Sequence, residues 1–76
     1  MMYFVIELQT IGDQGGVVSH IYADKNDALA KFYELAAIAV KSTADIHTIQ
    51  LVTSDGFTVV KPVIADHREP EPGPET

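Results

Sequence analysis

Met2 to Gln9 alternates, with Phe4, Ile6 and Leu8 on one side and Tyr3, Val5, Glu7 and Gln9 on the other, the period of a half-buried strand. Glycines at 12, 15 and 16 make Ile11–Gly16 a loop, which leads by a hairpin into a second strand, Val17 to Ala23. Asp24 then offers an N-cap, and Asp27 stands at the capping-box position where a carboxylate also favours the helix dipole. The spacing predicts a helix from Lys25 to Lys41, ended by the polar stretch Ser42–Asp45. Ile46 to Thr53 and Phe57 to Ile64 flank Ser54-Asp55-Gly56, where Asp-Gly suits a two-residue type I′ turn. That turn pairs Val52 with Val59, Leu51 with Val60 and Ile49 with Pro62. The register leaves Pro62 at a non-hydrogen-bonded position of an edge strand, where its missing N–H is harmless.

The element order is β-β-α-β-β. An α+β fold follows: a four-stranded antiparallel sheet in the order 2-1-3-4 with one helix packed on one face. The expected core face carries Phe4, Ile6, Leu8, Ile49, Leu51 and Val60. The opposite face is expected to show Tyr3, Val5, Val52, Val59 and Val63 among Glu7, Thr48, Gln50 and Lys61. Residues 1–65 form the single domain, and residues 66–76, rich in proline and acid, read as a disordered tail.

The helix is too apolar for one buried stripe. Between Ala28 and Val40 only Lys31 and Glu34 are charged, and the apolar residues sweep roughly 200° where about 100° suffices. Ile38 lies outside even that arc. The excess surface, with the partly apolar second sheet face, predicts self-association as a dimer. Tyr33, Ala37 and Ile38 on the helix and Tyr3, Val5, Val52 and Val59 on the sheet are the candidate interface residues.

Composition narrows the field. Seventy-six residues support only a marginal core, and the absence of cysteine removes disulfides and thiolate metal sites, leaving association as the available staple. A hydrophobic content of 46% excludes wholesale disorder. No run of about 18 apolar residues could span a bilayer, and the N-terminus lacks the basic segment of a signal peptide. A cytoplasmic location is expected by default. The net charge of −6, half of it in the tail, and the scattered lysines argue against a nucleic-acid partner. With so few lysines beside the apolar arc, a membrane surface is not expected either.

Candidate chemistry is sparse. His20, His47 and His67 show no metal-binding spacing. Asp24 and Asp27 are accounted for by capping. Ser19, Ser42, Thr43 and Ser54 stand in no nucleophile elbow. Gly12, Gly15 and Gly16 join strand to strand, which is not a phosphate loop. No catalytic, metal or cofactor residue is expected, and the chain reads as a non-enzyme with no cofactor.

Four stretches carry a resemblance: Tyr3 to Thr10 (YFVIELQT), Tyr22 to Ala28 (YADKNDA), Lys31 to Tyr33, and the alanine-rich Leu35 to Val40. With His47 and the Gly56-Phe57 turn, they make residues 3–60 resemble short uncharacterised proteins encoded in phages and prophages of anaerobic, gut-type bacteria. Ile38 and Lys41 depart from that pattern. The resemblance implies a phage origin and no catalytic residue. The expected function is that of a small non-enzymatic protein acting through contacts with itself and with a phage or host protein. The alternatives are an acidic inhibitor of a host nucleic-acid enzyme and a small-molecule binder with a dimer-formed cleft near His20 or His47.

Overall fold

The computed structural model describes residues 1–68; the tail expected beyond them lies outside the described residues. Strands β1 (Tyr3–Ile11) and β2 (Gln14–Tyr22), helix α1 (Lys25–Val40), and strands β3 (Ile46–Thr53) and β4 (Val63–Asp66) follow in that order. The sheet is antiparallel throughout, in the order β2-β1-β3-β4. Fold class and strand order are those the hydrophobic pattern predicts.

The first hairpin is tighter than expected. Ile11 pairs with Gln14, so only Gly12 and Asp13 turn the chain. Gly12 takes φ +59 at the first central position, the arrangement of a type II′ turn that only glycine adopts easily. Gly15 and Gly16, expected in the loop, are extended and pair with Thr10 and Gln9.

The helix starts as its sequence dictates. The Asp24 carboxylate accepts the Asn26 N–H at 3.1 Å, and the Asp24 carbonyl takes the first helical bond from Ala28. Ala28, Phe32, Leu35 and Ala39 form the buried stripe and pack on Val5, Ile49 and Leu51 of the sheet. No described helix is long and apolar enough to cross a membrane.

The second hairpin departs from the expected register. The Thr53 carbonyl accepts the Gly56 N–H at 2.9 Å, which makes Ser54 and Asp55 the central residues. Gly56 alone has positive φ, +91, so the type I′ turn at Asp55-Gly56 is not formed and a three-residue loop takes its place. Val52 pairs with Thr58, but Ile49 pairs with Val63 and not with Pro62. The returning chain therefore spends two extra residues between these rungs. Pro62, without an N–H to give, sits in that irregular passage and β4 begins just after it.

The faces of β1 are the reverse of those expected. Val5 lies opposite Leu51 and Glu7 opposite Ile49, so the odd-numbered residues of β1 face the helix. Phe4, Ile6 and Leu8 are on the open side. Val5 is fully buried, and Tyr3 and Val59 pack against the core, so these three leave the candidate interface. Val60 and Val63 pack there too, since the passage before β4 folds its valines inward.

The chain end expected to be free is tied down as far as Arg68. His67 donates its backbone N–H to the Asp45 carbonyl at 2.7 Å, and its Nε2 lies 2.8 Å from the Ala39 carbonyl at the helix C-terminus. Asp45 also receives the Gly12 N–H on its carboxylate at 2.8 Å, joining the first turn to the start of β3. Arg68 closes on Asp66 through its Nε at 3.0 Å and Nη2 at 2.8 Å.

Two expectations follow. Ile49→Ala removes a buried side chain and should cost about 2–5 kcal/mol in urea unfolding, whereas Val40→Ala, at a position 62% exposed, should stay within about 0.5 kcal/mol. Hydrogen bonds from the Arg68 side chain and then its backbone hold the Asp66 carboxyl at about 2, below its usual 3.8. A depressed carboxyl contributes stability above its ordinary titration range and loses that contribution as pH falls through about 2. In an NMR titration, Arg68→Ala should move the Asp66 midpoint back up.

Candidate functional site

The surface of greatest consequence is the side of the sheet that the helix leaves bare. Even-numbered β1 residues Phe4, Ile6 and Leu8 run down its middle. β2 adds Val17 beside Leu8 and Ile21 beside Phe4. β3 adds Val52 beside Phe4 and Ile46 beside Thr10, and β4 adds Ile64 beside Thr48. Val17, Ile21 and Ile64 are 69%, 57% and 67% exposed. The polar members, Thr10, Ser19, Thr48 and Gln50, are uncharged, and only Asp66 at one end of β4 brings a charge. An open antiparallel face usually alternates into polar side chains; this one does not.

Of the residues expected at an interface, Val52 lies on this face. Tyr33, Ala37 and Ile38 are exposed on the outer side of α1, away from it. Tyr3, Val5 and Val59 are withdrawn to the core side. Phe4, Ile6, Leu8, Val17, Ile21, Ile46 and Ile64, none of them among the expected interface residues, share this face with Val52. Both faces of β1 are apolar at alternate positions, so the period alone does not say which one meets the helix.

Glu7 is on the helix side instead, buried with His47, whose Nε2 is 2.7 Å from a Glu7 carboxylate oxygen. His47 Nδ1 is buried and has no partner. An orphaned N–H is rarer and costlier than an orphaned lone pair, so the ring proton belongs on Nε2, where it is donated to the carboxylate. Sequence spacing hides this contact, because the two residues are 40 positions apart. Glu7 also borders an open depression of about 290 Å³ on the helix side of the first hairpin, where Gly15 and Gly16 leave a hollow between Gln9, Gln14 and Val18.

His20 lies opposite Val5 on one flank of β1, whereas His47 lies opposite Gln9 on the other, so the two histidines do not meet in one cleft. Among the described residues no cluster of three histidine or acidic side chains could hold a metal ion. Comparison with protein-family models, with curated proteins and with solved structures returns no match.

The buried pair makes a sharp prediction. His47→Leu leaves the Glu7 carboxylate without its donor in a buried place and should cost about 3–5 kcal/mol in denaturant unfolding. Replacing both by leucine should recover most of that loss. A double variant as unstable as the single one would show that Glu7 draws nothing from His47.

Proposed function

We propose that this chain is a small non-enzymatic protein, of the phage-encoded kind that its sequence resembles, that self-associates and works through protein contacts made by its bare sheet face. The observation that carries this reading is the face itself: eight apolar side chains, five of them half-buried, with no charge in the middle.

A second copy is the partner that fits. The chain carries a net charge of −6, so two copies repel unless they meet on an uncharged surface. With strands about 4.8 Å apart and about 3.3 Å per residue, the face measures roughly 19 by 26 Å, or about 500 Å² per copy. A pair then buries about 1,000 Å², the lower bound for a specific interface. If half of that is apolar, burial is worth on the order of 12 kcal/mol, comparable with the roughly 4–15 kcal/mol that association costs. With the cost at the low end of that range the surplus is about 8 kcal/mol, which corresponds to pairing in the micromolar range.

Sedimentation equilibrium tests the reading. The unaltered chain should show a mass above one subunit at about 100 μM. Ile6→Glu, at the centre of the face between Ser19 and Gln50, should abolish this contact while circular dichroism stays unchanged. Ala37→Glu on the outside of α1 should leave the mass as it was. A single-subunit mass for the unaltered chain at that concentration would end the proposal.

A further inference from the structure

The two edges of the sheet are unequal. β4 has four residues, follows Pro62 and ends in Asp66, three features that discourage a new strand. β2 has nine residues, Gln14 to Tyr22, with no Lys, Arg, Asp, Glu or proline, and it pairs with β1 without a bulge. The two-residue turn fixes which groups face outward: the N–H and C=O of Gly15, Val17, Ser19 and Ile21 point away from β1. Among the described residues no backbone bond reaches them.

Gly15 and Gly16 are unexplained within one subunit. Neither has positive φ, and a Cβ added at Gly16 meets nothing within 4 Å, while one at Gly15 meets only the Gln9 carbonyl at 3.8 Å. Glycine weakens a strand unless something approaches it closely. Among the described residues nothing does.

We infer that a second copy adds to the β2 edge, antiparallel and two-fold about Val18, to make a continuous eight-stranded sheet. That axis sets Gly16 opposite the partner's His20 and Gly15 opposite the partner's Ile21. Each glycine gap then faces a large side chain, and the depression beside Gly16 receives an imidazole from the other subunit. Val18 meets its own counterpart, and Val17 meets the partner's Ser19. All nine residues find a pair, and about eight main-chain hydrogen bonds form from groups otherwise left to water. An uncharged strand on a chain of net charge −6 offers two copies the least repulsive line of approach. Because β4 cannot pair in the same way, growth stops at two subunits along this direction. This contact uses a different surface from the bare face and stands or falls separately from it.

A register-specific cross-link tests the arrangement. The chain has no cysteine, so Val18→Cys introduces a single thiol. On the two-fold axis it lies in a non-hydrogen-bonded pair, whose separation suits a disulfide. Under mild oxidation Val18→Cys should give covalent dimer at least about tenfold faster than Val40→Cys on the exposed helix side, or than His20→Cys, which faces glycine. Adding Gly15→Val and Gly16→Val should leave the subunit folded and slow the Val18→Cys cross-link, because the new side chains collide with the partner's His20 and Ile21. The ranking should persist in the Ile6→Glu background, where the bare face no longer pairs. Equal rates at positions 18 and 40, a fastest rate at position 20, indifference to the glycine replacements, or loss of the ranking with Ile6→Glu would each overturn the inference.

Discussion

One helix can shield one face of a four-stranded sheet, and here both faces are built from apolar side chains. That inequality shapes the molecule. α1 supplies Ala28, Phe32, Leu35 and Ala39 to one side, and Val5, Ile49 and Leu51 close against them with almost no exposure. The other side keeps Phe4, Ile6 and Leu8 half-open to water because no second layer exists within the described residues. A domain of this size buries only a modest share of its surface, so its core alone leaves it marginal. The proposed contact between subunits would add buried surface to that core.

Which side receives the helix is decided by a polar contact. Oil alone could have placed either face of β1 inward. Glu7 is costly to bury without a donor, yet His47 supplies one at 2.7 Å on the side of the sheet that meets the helix. The His67 imidazole binds the Ala39 carbonyl nearby, and Asp45 ties the first turn to both β3 and the residue after β4. These bonds anchor the hairpin tip, the helix C-terminus and the chain end to one another. Once Glu7 has its donor, Val5 must point inward and Ile6 outward by the two-residue period of the strand.

The architecture was legible because its signals are local. Alternation in β1, the Asp24 cap and glycines at the turns each specify an element, and Pro62 specifies an edge, so the strand order followed. The face of β1 was not legible, since it depends on a contact between residues 40 positions apart. The second hairpin register was misread for a related reason. Asp55-Gly56 suits more than one turn, and the choice rests on whether Asp55 or only Gly56 takes positive φ. The candidate interface inherited both errors at Tyr3, Val5 and Val59 and escaped them at Val52, whose side is set by Leu51 next to it. The helix excess at Tyr33, Ala37 and Ile38 was read correctly as exposure, but it lies away from the bare sheet.

Charge placement follows the same division. The described carboxylates sit at turns, at the helix start, on its outer side and at the end of β4: Asp13, Asp24, Asp27, Glu34, Asp45, Asp55 and Asp66. Glu7 is the exception, and it is matched. The β2 edge, and the bare face apart from Asp66 at its margin, are therefore uncharged strips within an acidic outline. Repulsion between copies falls off over about 8 Å at physiological salt, so it discourages approaches that juxtapose the turns and leaves face and edge contacts open. In the proposed contacts, a blunt β4 would limit edge pairing to two subunits, and the bare face would meet one other face. If the proposed contacts form, sequence features that look unrelated, two strand glycines, one proline and the position of seven carboxylates, would act together to favour a closed assembly over an open chain of subunits.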